Sequence, residues 1–350
     1  MSRAASRKLP KVDVAIVGAG PVGLAAAIEA RLAGLSVVLV EQREGAIDKA
    51  CGEGLMPGAL PLLARLGVNP EGHPLGGVTY RSGRRSVTHR FAASGGRGVR
   101  RTTLHAALSA RANELGVRRV TLRVTELVQT TDAVHLPDIV SARYLLGCDG
   151  LHSTIARLAG LSLAAPRRAR RFGVRQHYFV RPWSDNIEVY FGPSAELYVT
   201  PVSENVVGLA MLARQGTDFD EALAAVPQLA ARVAGAGLAG TRRGAGPFRQ
   251  RTRARVRGRV LLVGDAAGYV DAITGEGLRL GFAQAADAVR AIAADRPKDY
   301  ERAWKRTTRD FRVLTGALVF GATTPLRGAI VPLAAALPGV FGSVVERLAR

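Results

Sequence analysis

The sequence predicts an α/β protein: a mostly parallel sheet with covering helices, an antiparallel sheet beside it, and a helical C-terminus. Three observations predict it. Residues 12–41 read as strand, glycine turn, helix and strand, in β-branched, Gly-rich and Ala/Leu-rich segments. Two more apolar strands, 140–146 and 260–263, each run straight into a turn holding a Gly and an Asp. Residues 171–213 hold four strand-like segments of mixed polarity separated by short turns, the texture of an antiparallel sheet.

The first stretch carries the clearest chemistry. Gly18-Ala19-Gly20-Pro21-Val22-Gly23 follows the strand and opens the helix, which ends at Gly34. Gly18 permits the tight turn, Gly20 lets the backbone approach a pyrophosphate, and Gly23 lets helix pack on strand. The helix N-terminus offers unpaired N–H groups and the positive end of its dipole. The second strand ends on Glu41, 23 residues after Gly18, where a carboxylate can accept bonds from ribose hydroxyls. A dinucleotide is therefore expected here. Residues 235–240 repeat the glycine spacing, but they follow a helix-like run and lack a matching acid, so they read as a turn.

The remaining elements follow in order. Residues 42–58 form an irregular loop carrying Cys51-Gly52-Glu53-Gly54-Leu55; Glu53 either orients this loop or is solvated. A short helix occupies 59–66. Strands 78–81 and 86–89 form a hairpin around Ser82-Gly83-Arg84-Arg85. A helix spans 101–115 and stops at Gly116; a strand at 120–127 follows. Ser153 opens a helix to Ala159. The four strands of the second sheet fall at 173–180, 187–191, 197–201 and 206–213. Helices are predicted at 219–234, 276–293 and 299–313. Between Arg312 and Glu346 the only charge is Arg327, and prolines and glycines interrupt the apolar run. A buried or capping helical hairpin is the preferred reading there, and a peripheral membrane contact the alternative.

Composition sets outer limits. At 350 residues and 47% hydrophobic content, one large domain or two interlocked ones are expected, as a monomer or homodimer. The first eleven residues are polar and basic and lack the apolar centre of a secretory signal. Two cysteines, Cys51 and Cys148, give no disulfide framework, so a reducing cytoplasm is the default location. The formal charge is +21, with arginine pairs such as Arg100-Arg101 and Arg167-Arg168. Arg249, Arg251, Arg253, Arg255, Arg257 and Arg259 alternate, which in an extended chain puts them on one side. No aromatics interleave with this charge, so no specific nucleic-acid partner is expected. A solvated basic face, with a few arginines on cofactor phosphates, is the preferred reading. The sequence offers neither a Ser/His/Asp triad nor a metal-ligand cluster, so no metal is assigned.

Three glycine turns now line up: Gly18-Ala19-Gly20, Gly147-Cys148-Asp149-Gly150 and Gly264-Asp265. In an open α/β sheet such turns gather at the carboxyl edge, where ligands bind. With these motifs the chain resembles the FAD-dependent oxidoreductases of the para-hydroxybenzoate hydroxylase type and their geranylgeranyl-reductase-like branch, over about residues 12–295. The resemblance implies a Rossmann-like FAD-binding domain with a mostly parallel sheet plus an antiparallel-sheet substrate domain. It divides the chain into FAD-binding segments 11–75, 98–170 and 250–300, substrate segments 76–97 and 171–249, and an apolar helical segment 301–350. It implies that Gly18, Gly20, Pro21, Gly23, Glu41, Gln42 and Arg43 hold the ADP half of FAD. It matches Arg101 to an arginine that opens a helix against the phosphates, and Asp149-Gly150 to a turn linked to FAD and NAD(P)H. It places Gly264-Asp265 at the ribityl or pyrophosphate region, and Thr274, Gly275, Glu276 and Gly277 beside the flavin ring. NAD(P)H would act as a transient co-substrate.

The run Lys49-Ala50-Cys51-Gly52-Glu53-Gly54-Leu55 looks more like the reductase branch than the hydroxylases, as does Asp271-Ala272-Ile273-Thr274. An aromatic pair of that branch is reduced here to Tyr198, in Leu197-Tyr198-Val199-Thr200-Pro201. The expected activity is a monooxygenase acting on an aromatic or polyketide-like small molecule. The alternatives are an ene-reductase acting on a prenyl-type lipid and a non-catalytic flavin-binding protein. Candidate catalytic residues are Cys51 and Tyr198 as proton donors, Cys51 also as a flavin-facing thiol, and His177 as a base or a partner for a substrate hydroxyl.

Overall fold

The computed structural model describes residues 9–92, 94–164 and 170–350. Most of the basic opening and the Arg167-Arg168 pair lie outside the described residues. Strand β1 (Lys11–Val17) leads into helix α1 (Pro21–Leu32) and strand β2 (Val37–Glu41). Strands β3 (Gly77–Ser82) and β4 (Arg85–Arg90) make the predicted hairpin. Helix α2 (Arg101–Glu114), strand β5 (Arg118–Thr121), strand β6 (Val140–Gly147) and the short helix α3 (Thr154–Leu158) come next. Four longer strands follow: β7 (Arg171–Phe179), β8 (Asn186–Phe191), β9 (Ala195–Ser203) and β10 (Val206–Arg214). Strand β11 (Val260–Leu262) precedes helices α4 (Gly277–Ala293), α5 (Asp299–Thr323), α6 (Ile330–Ala336) and α7 (Pro338–Ala349).

The first sheet runs β11-β6-β1-β2-β5, with every one of these pairs parallel. Its register decides where the site lies. Val17 pairs with both Gly147 and Val40, and Gly147 pairs with Leu262, so the carboxyl ends of four neighbouring strands finish level. Val14, Ile16, Leu39, Leu145 and Leu261 are buried in its core. Each such side chain contributes about 1.5–3 kcal/mol of transfer free energy. Helix α4 crosses α1 closely because Gly281 leaves room: a Cβ there would lie 2.4 Å from Val22 Cγ2.

The second sheet pairs β7, β10, β9 and β8 antiparallel, as predicted, and then adds the β3–β4 hairpin through a parallel β8–β3 pair. That parallel pair joins segments more than 100 residues apart, so no local pattern announces it. The repeated glycine spacing at 235–240 is a turn, as read.

Four expectations need correction. The strand placed at 120–127 is β5, Arg118–Thr121, because Leu122 leaves the sheet edge where β2 ends. The helix placed at 219–234 breaks into Phe219–Ala224 and Pro227–Val233, since Pro227 lacks the N–H that a continuous helix needs. The alternating arginines do not share a side. Arg255 bonds Glu301, Arg257 reaches the Ala159 carbonyl and Arg259 the Thr131 carbonyl, around two short strand pieces. Helix α5 continues ten residues beyond the predicted end, and Leu333, Leu337 and Val340 beyond it are more than half exposed, while Val331, Phe341 and Val345 pack on the second sheet, so of the two readings the helices cap rather than lie buried.

Candidate active-site cleft

One continuous cavity lies at the level carboxyl edge of the first sheet and extends to a face of the second. Gly18, Gly20, Asp149 and Asp265 all line it, so the three glycine turns meet in one cleft. The three fingerprint glycines do three different jobs. Gly18 has φ +103°, and a Cβ there would lie 2.6 Å from the Cys148 carbonyl oxygen. At Gly23 a Cβ would lie 1.8 Å from the Gly18 carbonyl oxygen, so helix and turn touch only because it is glycine. Gly20 faces open space; the nearest atom to its virtual Cβ is an Arg101 guanidinium nitrogen at 3.7 Å. Pro21 starts α1 where its missing N–H costs nothing.

Glu41 ties this corner together. Its Oε2 accepts the Ala19 N–H at 2.9 Å, and its Oε1 accepts the N–H groups of Gln42 and Arg43. Gln42 and Arg43 also line the cleft. His105, buried on α2, contacts the Ala19 carbonyl through Nε2 at 3.0 Å and supports the turn from below. Burial and nearby arginines hold this imidazole below its ordinary pKa, so it is neutral and Nε2–H donates.

Asp265 carries a carboxylate with no protein hydrogen bond among the described residues. Burial pushes its pKa up, while Lys49 and Arg101 pull it down. Lys49 in turn is held below its ordinary value by burial. Arg101 Nε is buried without a partner. An open backbone cradle, an unpartnered guanidinium nitrogen and an uncommitted carboxylate at a strand end fit the phosphates and hydroxyls of a dinucleotide. Asp149 lines the cleft, but its carboxylate is committed within the chain. Its Oδ1 accepts the Ser153 hydroxyl and its Oδ2 the Ile155 N–H, so the carboxylate caps α3. Gly150 lines the cleft, whereas Gly264, at φ +67°, packs its turn against Val22 and does not.

Thr274, Gly275 and Gly277 line the cleft at the start of α4, and the Thr274 hydroxyl is paired with Thr315 at 3.1 Å. The Glu276 side chain turns away to Arg279 and is buried, with Oε1 unpartnered. Burial pushes its pKa up to about 7.

The loop before α2 is held by a buried polar relay. Glu53 adopts φ +59° and its Oε1 accepts the Arg101 N–H at 2.8 Å, capping α2. Its Oε2 meets His177 Nε2 at 2.5 Å. Arg175 donates to His177 Nδ1 at 3.0 Å and pairs with Asp48. Because Arg175 can only donate, Nδ1 is the acceptor and the imidazole proton sits on Nε2, facing Glu53. His177 is fully buried and does not line the cleft, which corrects the expectation that it meets substrate. It positions Glu53 instead. The loop-orienting reading of Glu53 holds. Cys51 lines the cleft, half-buried, its Sγ accepting the Glu53 N–H at 3.4 Å. Tyr198 lines it too, with its hydroxyl donated to the Ile273 carbonyl at 3.1 Å. Burial raises this phenol's pKa well above its ordinary value. Lys49, His105 and Arg175 were missed as site residues, because Asp265, Ala19 and Asp48, which they meet, lie 216, 86 and 127 residues away in sequence.

A parallel sheet with three glycine turns at one edge, opening onto a second sheet, is the architecture of a dinucleotide-binding fold. The chain belongs to the FAD binding domain family, which it matches over residues 11–296. Among similar proteins, the dialkyldecalin synthase of Streptomyces rugosporus is 30% identical over 80% of this chain and 65% of its own length. Rifampicin monooxygenase of Rhodococcus hoagii is 28% identical over 81% of this chain and 64% of its own. The menaquinone reductase of Mycolicibacterium smegmatis is 28% identical over 84% and 79%. The chain thus spans about 65% of the length of the first two. The flavin-dependent brominase Bmp2 superposes with TM-score 0.82 at 19% identity, covering 97% of this chain and 93% of that one. The p-nitrophenol 4-monooxygenase of Pseudomonas putida gives 0.80 at 18%, covering 97% of each. These two share the fold. Monooxygenases and reductases both stand among the similar proteins.

Proposed function

We propose that this chain is an FAD-dependent monooxygenase that takes electrons from NAD(P)H and uses O2 to hydroxylate an aromatic or polyketide-like small molecule. The observation that carries this reading is the end of the cleft formed by the second sheet. Val78, Tyr80, Val189, Met211, Leu212 and Phe248 line it, and the Tyr198 hydroxyl there is already committed to a carbonyl. Such a largely apolar lining suits an aromatic or polyketide-like substrate and keeps water from it. Bound FAD would supply the chemistry, accepting hydride and passing electrons to oxygen.

In this reading the chain's own groups bind and orient. Gly18, Gly20, Pro21 and the N-terminus of α1 would hold the pyrophosphate, with Arg101 beside it. Glu41, Gln42 and Arg43 would face the adenosine ribose, and Asp265 the ribityl or pyrophosphate hydrogen-bonding groups. Backbone N–H groups of Thr274, Gly275 and Gly277, at the positive end of α4, would stabilise negative charge on the reduced ring. The Glu53–His177–Arg175 relay would keep α2, and so Arg101, in place.

A second reading, an ene-reductase acting on a prenyl or other lipidic substrate, is favoured by one observation. Cys51 lines the cleft and its thiol is spent only on a long contact. A reductase needs a proton donor at that location. Turnover under argon with product mass separates the two. A hydroxylase stops without oxygen and adds one oxygen in air; a reductase continues and adds two hydrogens.

A further inference from the structure

We propose that the C-terminal helices dock this protein onto the surface of an anionic lipid bilayer. Eleven large hydrophobic residues are exposed among the described residues, and six of them fall between 313 and 340: Val313, Phe320, Leu326, Leu333, Leu337 and Val340. Exposed apolar residues scattered singly are ordinary, but clustering on one region marks an interaction surface. Val313 and Phe320 are seven apart on α5 and so share its face, while Leu333 lies on α6 and Leu337 just past its end.

The segment's only charge is turned inward. Arg327 Nη2 lies 3.0 Å from Glu196 Oε1, and Glu196 is 2% exposed. Glu196 also pairs with the buried Arg171, which bridges to Asp271 at 3.3 Å. The outer face is thereby left without charge, while its base is anchored to the second sheet and to the loop before α4. Helix α5 and the residues 325–336 that follow meet at 102°, and among the described residues no single helix is long and apolar enough to cross a membrane. This shape suits lying in the interface rather than spanning it.

Charge selects the occupant. The N-terminal half of α5 carries Arg302, Lys305, Arg306, Arg309 and Arg312. Lys305, Arg306 and Arg312 have no carboxylate within ion-pair distance among the described residues, and the undescribed ones hold no Asp or Glu. A second copy would bring the same +21 charge against this basic collar, whereas an anionic bilayer complements it. Helix α7 also gives Val345 and Leu348 to the cleft, so the docked region and the cleft share an element.

Flotation of the holoprotein with vesicles tests the proposal. Vesicles of equal phosphatidylglycerol and phosphatidylcholine are compared with phosphatidylcholine alone, for wild type, Phe320→Ser/Leu333→Ser/Leu337→Ser, and Lys305→Glu/Arg306→Glu. Wild type is expected to float with the anionic vesicles and at least tenfold less with the neutral ones. Each variant should lose at least tenfold in anionic-vesicle binding while keeping its flavin content. Three results would overturn the proposal. The first is wild type unbound as a monomer, and the second is wild type unbound as a dimer that the triple-serine variant dissociates. Equal flotation of the triple-serine variant would assign the binding to diffuse charge elsewhere.

Discussion

Gly18, Gly20 and Gly23 are identical in chemistry and separate in consequence. A methyl at Gly23 would stand inside the Gly18 carbonyl oxygen, and one at Gly18 would meet strand-end backbone, while one at Gly20 would stand in the open cleft. Gly23→Ala should therefore lose several kcal/mol of stability, on the scale of severe overpacking. Gly20→Ala should unfold at the wild-type midpoint in the apo form, yet bind FAD at least tenfold more weakly. Thermal melts with and without added FAD check both. Glu276 gives a pH signature. Its folded pKa is raised to about 7, so its stabilising share is present below the unfolded value and is lost as pH rises through 7. Glu276→Gln should gain roughly 2 kcal/mol on wild type between pH 5 and pH 8.5, read from urea titrations. The fingerprint was legible because backbone clearance follows a local rule. The environment of His177 was not, because its partners Glu53 and Asp48, the latter through Arg175, lie more than 120 residues away. A strand histidine looks the same in sequence whether it meets substrate or a buried carboxylate.

At the scale of elements, apolar runs and glycine stops placed β1, β2, β6, β11 and α4 well, since each is buried or bounded by a local signal. Edges were placed poorly. β5 ends where β2 ends, a length set by its neighbour rather than by its own residues. The alternating arginines mimicked one strand face, but the chain turns at Gly258 and spends Arg255, Arg257 and Arg259 on separate carboxylates and carbonyls. Arg327 and Glu196 show the same limit in the other direction. Read alone, Arg327 is a stray charge in an apolar run; in the fold it closes a buried chain of Arg327, Glu196, Arg171 and Asp271. Glu196→Gln leaves Arg327 with no carboxylate partner among the described residues and Arg171 with Asp271 alone. It should cost about 3 kcal/mol in denaturant titrations, with the cleft end of α4 losing amide protection first.

For the molecule as a whole, strand order and register concentrate function at one edge. Parallel pairing of β11, β6, β1 and β2 with level ends brings residues 18–20, 149–150 and 265 to one cleft, although up to 247 residues separate them. That convergence was readable from three glycine turns after three apolar strands. The grouping of the hairpin with the second sheet came from the family resemblance alone; the parallel β8–β3 pair that joins them, and the outward face of the C-terminal helices, depend on packing between distant segments and were not readable. The central claim is that this cleft holds FAD, and equilibrium titration of the purified chain with FAD tests it most directly. The account predicts one yellow equivalent bound per chain at micromolar or tighter affinity, with binding weakened by Gly20→Ala and by Arg101→Ala. A folded chain that stays colourless and leaves added FAD free in solution would contradict it.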